Sequence, residues 1–264
     1  MIKAVVVDMD GTFLNSKHDY NREWFKEIYQ KLSKQNIRFV VASGNQYAQL
    51  KSFFPESHEN ISFIAENGAL IFEQNTLIRE HHFEIDLVGQ IITYLKDIHP
   101  DVDMILCGIA SSYIEKNTSE RFKSIAQTYY HKLQEVDHLQ NFCEDKYVKF
   151  ALSVPVSQTE QIQDSLQTYF GHQIVAVSSG HGSVDIIIPG KHKADGLSFL
   201  ASKWGISPED IVAFGDGNND VEMLQYVGHS YAMENGSSLV KEASKNLAPS
   251  NDESGVLQVI EKYL

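Results

Sequence analysis

Two carboxylates one residue apart, Asp8 and Asp10, stand in the run Asp8-Met9-Asp10-Gly11-Thr12, directly after the apolar stretch Ile2 to Val7. A carboxylate can attack phosphorus and split one hard displacement into two easier ones through an acyl phosphate. Asp8 is placed to be that nucleophile. A second carboxyl close by can protonate the leaving alkoxide and then activate water, which is a general acid/base role. Asp10 is placed for it. Gly11 lets the backbone come close to a ligand, and Thr12 offers a hydroxyl and an N–H to phosphate oxygens. The same run fails as an EF-hand calcium loop, which needs a third Asp or Asn where Thr12 sits, a glycine where Phe13 sits, and a helix before it.

A second acidic run, Gly215-Asp216-Gly217-Asn218-Asn219-Asp220, also follows an apolar stretch. Magnesium takes hard oxygen ligands, commonly one or two carboxylates with waters and phosphate. Asp216 is the expected direct ligand, together with Asp8 and the Asp10 carbonyl. Asp220 is expected to support that shell or orient a lysine, and Asn219 to donate to phosphate. Val221 and Val227 exclude an EF-hand here, and Asp220 occupies the place of the third glycine of a dinucleotide fingerprint. Ser43-Gly44-Asn45 ends another apolar run, where a hydroxyl and backbone N–H groups can bind a phosphoryl oxygen. A lysine beside the nucleophile would offset charge that otherwise repels the substrate. Lys193 and Lys191 compete for that part, and the helical pattern beginning at Lys193 favours Lys193.

The elements that must position these groups follow an α/β rhythm. Ile2 to Val7 and Ile37 to Ala42 predict strands, separated by a helix with Trp24, Phe25, Ile28 and Leu32 at helical spacing after a cap at Asn21. Further strands are expected at Ile61 to Ala65, Ala69 to Phe72, Asp185 to Ile188 and Ile211 to Phe214. A helix is expected from Lys193 to Trp204 with Gly205 as its terminator. Strand, helix, strand is the unit of a parallel sheet, whose carboxyl ends bind ligands. The middle of the chain differs. It predicts a helix with Leu87, Val88, Ile91, Ile92, Leu95 and Ile98, and a second opened by a capping box from Ser157 to Glu160. Strands are expected there at Met104 to Cys107, Tyr113 to Glu115, Val148 to Val154 and Ile174 to Val177. The reading is an α/β core formed by residues 1–83 and 184–264, with an α+β module at 84–183 inserted into it.

With 42% hydrophobic and 22% charged residues, the 264-residue chain can bury a full core, and disorder is excluded. A formal net charge of −13 argues against nucleic acid and anionic membrane surfaces as partners. No apolar run reaches a membrane span, and Asp8 arrives too early for a signal peptide, so a cytoplasmic location is expected. Two cysteines, Cys107 and Cys143, suit a reducing compartment. The eleven histidines form no ligand pair. His181 lies in a Gly-rich turn that returns to the core and is a candidate to approach the substrate.

These motifs in this order resemble the haloacid dehalogenase superfamily, in particular its Cof-type phosphatases with a large α+β cap between the second and third motifs. DMDGT, SGN, the Lys193 helix and GDGNND carry the resemblance, and Glu66-Asn67-Gly68-Ala69 matches the ENGA turn of this branch. The runs FVVASGNQY, SFFPE, AENGAL and IIPGKHKA are similar to its bacterial sugar phosphatases. The resemblance spans essentially the whole chain. It implies a Rossmann-like core and a magnesium-dependent phosphatase of sugar phosphates or similar small phosphomonoesters. Asp8 is then the nucleophile, Asp10 the acid/base and Asp216 a magnesium ligand, with Ser43, Gly44, Lys193 and Asn219 on the phosphate. Asn45 stands where many Cof-type proteins carry Arg, matches the sugar-phosphatase subgroup and is counted with the substrate contacts. Two other functions share these features: phosphoryl transfer between positions of a sugar, and a non-catalytic receiver-like acidic pocket. Retention of Asp10, Lys193 and Asp216, and the presence of a cap, disfavour the receiver.

Overall fold

The computed structural model describes residues 1–141, 144–180 and 182–264. In chain order the strands are β1 (Ala4–Val7), β2 (Arg38–Ala42), β3 (Ser62–Ala65), β4 (Leu70–Glu73) and β5 (Thr76–Glu80). They continue with β6 (Asp103–Gly108), β7 (Ser112–Glu115), β8 (Leu133–Val136), β9 (Tyr147–Ser153), β10 (Val175–Gly180) and β11 (Ser183–Ile187), and close with β12 (Ile211–Gly215), β13 (His229–Met233) and β14 (Asn246–Ala248). Among the described residues these form two sheets. The eight-stranded sheet runs β14-β13-β12-β1-β2-β3-β4-β5, and the six-stranded sheet runs β10-β11-β9-β6-β7-β8.

In the larger sheet every pairing from β14 to β3 is parallel, and β4 and β5 are added antiparallel. Its central strand β1 is apolar at every position because both faces are covered. Val5 and Val7 point to the face packed by Phe25, Ile28 and Leu32 of the helix Arg22–Lys34. Ala4 and Val6 point to the other face, under Leu197, Leu200 and Ala201 of the helix Lys193–Trp204. Asn21 caps the first helix by accepting from the Trp24 N–H, and Gly205 ends the second in left-handed backbone, both as expected. The α/β architecture anticipated from the motifs is thus present, with the acidic runs at the carboxyl ends of β1 and β12.

The smaller sheet is mainly antiparallel, with β7 and β8 parallel. One face, with Ile105, Cys107 and Val148, continues the core of the larger sheet. The other packs on the helices Ile85–Ile98 and Thr159–Phe170. Two expectations are corrected here. Residues 184–187, assigned above to the core, belong to β11 and pair with β9 and β10, so the smaller sheet extends to Ile187. The capping box from Ser157 to Glu160 does not form. A 3₁₀ turn at Val156–Gln158 absorbs Ser157 into helical backbone, where it lacks the extended geometry of a cap, and Gln158 precedes the helix without a side-chain cap bond. A helix at Glu120–Tyr129, capped by Ser119, is present that the motif reading did not include. Among the described residues no helix is long and apolar enough to cross a membrane.

Candidate active site

Asp8 is the first residue beyond β1, and its N–H donates to the Phe214 carbonyl of β12, which ties the two acidic strand ends together. The loop after it turns tightly: the Met9 carbonyl accepts from the N–H groups of Thr12, Phe13 and Leu14. At Gly11 φ is +75°, and a Cβ there would lie 2.3 Å from Oδ2 of Asp216. A side chain at position 11 would therefore push the second acidic residue out of place.

Lys193 sits in the first turn of its helix and is 1% exposed. The helix comes this close because Gly196 lies against Ile64, whose Cγ2 would be 2.6 Å from an added Cβ. The Lys193 ammonium donates to Oδ1 of Asp8 and to Oδ1 of Asp220, each at 2.7 Å. The competing Lys191 is instead 3.6 Å from Asp195, away from the nucleophile position. Oδ2 of Asp220 accepts from the N–H groups of Asp216 and Gly217, at 3.1 and 3.0 Å. Asp220 therefore orients both Lys193 and the Asp216 loop.

Three of these carboxylates, on Asp8, Asp216 and Asp220, place oxygens within 4.8 Å of one another and could hold a metal ion. Their electrostatics fit a cation. Burial, reinforced by Asp216 and Asp10 and opposed by Lys193, pushes the Asp8 carboxyl up to about 7. Burial and Asp220 raise Asp216 to about 6, and burial and Asp8 raise Asp220 to about 6. One lysine is too little positive charge for this group, and an added cation would favour the ionised forms. Because Asp220 has both oxygens engaged, Asp8 and Asp216 are the better placed direct ligands.

Thr12 departs from expectation. It is 1% exposed, its hydroxyl donates to Oδ1 of Asp216 at 2.8 Å, and its N–H is bound to Met9, so it holds Asp216 rather than facing phosphate. Asn45 likewise turns to the acid/base candidate, donating from Nδ2 to Oδ2 of Asp10 at 2.6 Å. The Ser43 hydroxyl accepts the Asn45 N–H at 3.1 Å. Gly44 and Asn219 line the cavity with Asp8 and Asp10. Asn219 donates to Asn67 at 3.0 Å, and Asn67 donates to Asp185 at 2.7 Å. His181 lies outside the described residues.

The cavity, about 400 Å³, has the acidic groups as its floor and the smaller sheet as its roof. Two parts of that roof were not read from the sequence. Phe122, Ile125 and Tyr129 line the cavity from the helix Glu120–Tyr129, at the helical spacing that could have announced them. Lys149 also faces the cavity, 2% exposed, 2.9 Å from Glu66 and 3.7 Å from Asp185. Its signal was a lysine between Val148 and Phe150 in an otherwise apolar strand. His18, exposed and with φ of +56°, brings Nδ1 to 3.7 Å from Oδ1 of Asp10.

The family model for haloacid dehalogenase-like hydrolases matches residues 5–260. The chain is 45% identical over 263 residues to the 5-amino-6-(5-phospho-D-ribitylamino)uracil phosphatase YbjI of Escherichia coli (strain K12), covering 100% of this chain and 96% of that protein. The crystal structure of SMU.1108c from Streptococcus mutans UA159 superposes with a TM-score of 0.96 at 38% identity, covering 100% of this chain and 99% of that one. The structure of TM0651 from Thermotoga maritima follows with a TM-score of 0.84 at 26% identity, covering 99% and 97%. With its acidic strand ends, buried lysine and capped cavity, this chain belongs to the haloacid dehalogenase-like hydrolases and is a phosphatase.

Proposed function

We propose that the chain is a cytoplasmic, magnesium-dependent hydrolase of sugar phosphates and similar small phosphomonoesters, acting through an aspartyl phosphate on Asp8. The observation that carries this reading is Lys193, buried and shared between Asp8 and Asp220 on the cavity floor. A nucleophilic carboxylate needs a neighbouring cation to receive a dianionic phosphate, and the lysine supplies one. Asp8 attacks phosphorus while the bond to the ester oxygen breaks, and Asp10 gives its proton to that departing oxygen. Asp10, now a carboxylate, takes a proton from water as the water attacks the aspartyl phosphate, which releases inorganic phosphate and restores Asp8. Asn45 holds Asp10 toward the cavity, with His18 beside it. Ser43, Gly44 and Asn219 are assigned to the phosphate oxygens. Magnesium, held by Asp8, Asp216 and the Asp10 carbonyl with Asp220 behind them, would offset phosphate charge. The catalytic unit in this reading is 1–83 with the segment after Ile187, and the inserted unit supplies the roof.

The relatives sharpen the choice of ester. The E. coli protein above and YwtE of Bacillus subtilis (strain 168), 27% identical over 286 residues, are both named as phosphatases of 5-amino-6-(5-phospho-D-ribitylamino)uracil. That compound joins a phosphorylated polyol chain to a planar ring, and the Phe122, Ile125 and Tyr129 face offers apolar contact for such a ring. A panel of sugar phosphates, nucleotides and this ester, with and without magnesium, tests the proposal. Free inorganic phosphate in the presence of magnesium is expected. An isomeric sugar phosphate as product would establish a mutase instead, and no turnover of any small ester would overturn the reading.

A further inference from the structure

Two chains of contact run from the smaller sheet into the loops assigned to phosphate. The first begins at Lys149, in the middle of β9 between the buried Val148 and Phe150. Its ammonium crosses to the larger sheet and donates to the Gly44 carbonyl at 2.5 Å. That carbonyl and the Asn45 N–H belong to one peptide plane, which Ser43 Oγ holds from its other side. The Asn45 side chain then reaches Asp10. The second chain begins at Asp185 on β11, which accepts from Asn67, and Asn67 accepts from Asn219. Glu66 and Asn67 join the two, since their N–H groups donate to the carbonyls of Asn45 and Ser43. This turn holds Glu66 at φ +51° and Asn67 at φ +56°, conformations that non-glycine residues adopt at a cost of about 1–3 kcal/mol each.

A lysine is a poor choice if stability alone were served. Burying an ammonium and two carboxylates costs desolvation, and a well-packed apolar group of the same volume is often neutral or better in such a place. What an apolar group could not do is hold a carbonyl on the opposite sheet.

We propose that Lys149 and Asp185 are positioning residues for the phosphate site, so that the phosphate-binding loops are completed only by the seated smaller sheet. The inference rests on the assignment of Gly44 and Asn219 to phosphate. Lys149 acts on the Gly44–Asn45 peptide and through it on Asp10. Asp185 acts on Asn219 through Asn67.

The test is the double variant Lys149→Met/Glu66→Gln, which removes the cation together with its nearest counter-charge. Competitive inhibition by inorganic phosphate, KM and kcat are measured with magnesium on p-nitrophenyl phosphate and on a sugar phosphate, beside the melting temperature. The phosphate Ki and the KM values should rise about tenfold, the size of one lost hydrogen bond. The kcat should fall further on the sugar phosphate than on p-nitrophenyl phosphate, because only the alkoxide needs a well-aimed Asp10. Wild-type values of Ki, KM and kcat in a cooperatively melting variant would overturn the inference. Asp185→Leu removes the head of the second chain and loosens the first only at the 3.7 Å ion pair, since Lys149 keeps Glu66 and the Gly44 carbonyl, and it keeps the test readable if the double variant does not fold. It should raise the phosphate Ki while leaving the ratio of the two kcat values at the wild-type level, and an unchanged Ki there also overturns the inference. A wild-type enzyme that phosphate does not inhibit would instead bring down the phosphate-site assignment beneath it.

Discussion

Lys193 and Lys149 are both buried, and each lies between two carboxylates, yet their surroundings differ in kind. Around Lys193 the acidic side chains outnumber the cation: Asp8 and Asp220 touch it, while Asp216 and Asp10 add further negative charge to Asp8. Around Lys149 only two carboxylates, Glu66 and Asp185, face the ammonium, against the four near Lys193, and a backbone carbonyl takes part of the ammonium's bonding. The first cluster leaves a deficit of positive charge that a metal ion can fill. The second is closed within the protein. The same residue type thus serves to receive a charged reactant in one place and to join two sheets in the other.

The largest effect separating the clusters should come from Asp8→Asn. Losing the carboxylate proposed as nucleophile should lower turnover by about four orders of magnitude or more, while Lys193 keeps Asp220 and the fold persists. Steady-state rates beside circular dichroism check this, and near-normal turnover would remove Asp8 from the chemistry.

Next in size is the contrast between Lys193→Met and Lys149→Met. The first should lower turnover by about 10²–10³, the scale of one lost electrostatic contact to a transition state. Its loss of stability should be partly recovered by magnesium, since a ligand that binds only the folded state stabilises it by mass action. The second should cost about 3–5 kcal/mol of stability, the usual consequence of breaking a buried pair, and magnesium should not restore it beyond the wild-type response. Chemical denaturation with magnesium or with a chelator decides this, and equal rescue of both variants would erase the distinction between the clusters.

The smallest effect concerns pH. Burial raises the Glu66 carboxyl above its ordinary value of 4.5, against the pull of Lys149. The folded state therefore binds this proton more readily than the unfolded chain does, and the contribution of Glu66 to stability falls as pH rises from about 4.5 through the raised value. Glu66→Gln should flatten that part of the profile, making the variant relatively more stable toward neutral pH. Denaturation midpoints from pH 4.5 upward would show it, and parallel profiles would mean that Glu66 is not shifted.

The contrast also explains what could be read from the sequence. Asp8, Asp216 and the Lys193 helix are local patterns at the ends of apolar runs, so their spacing carries their placement. Gly205 and Asn21 are legible for the same reason, since a cap depends on its immediate neighbours. Lys149 reaches residues far away in sequence on another sheet, and no local spacing encodes that. Thr12 and Asn45 were expected to face phosphate, but which neighbour takes their hydrogen bonds, Asp216 for one and Asp10 for the other, is a tertiary matter. The strand near Asp185 was visible as a strand, while the sheet it joins was not, because an apolar run fits either sheet equally well.

The placement of β1 sets an order on how the chain can be made. Its first neighbour, β2, is translated soon after it, but the strand on its other side, β12, begins only at Ile211. At about 5–20 residues per second, the stretch from β2 to β12 takes on the order of 10 to 30 s to emerge from a ribosome. The smaller sheet is contiguous from Asp103 to Ile187 and can close within that interval. Meanwhile the valines of β1 present an open apolar edge, the kind that pairs with other nascent chains. A polypeptide that stops before Ile211 has therefore lost a strand from the centre of its sheet, next to the strand that leads into Asp8, and should behave as an aggregation-prone fragment rather than a shortened enzyme.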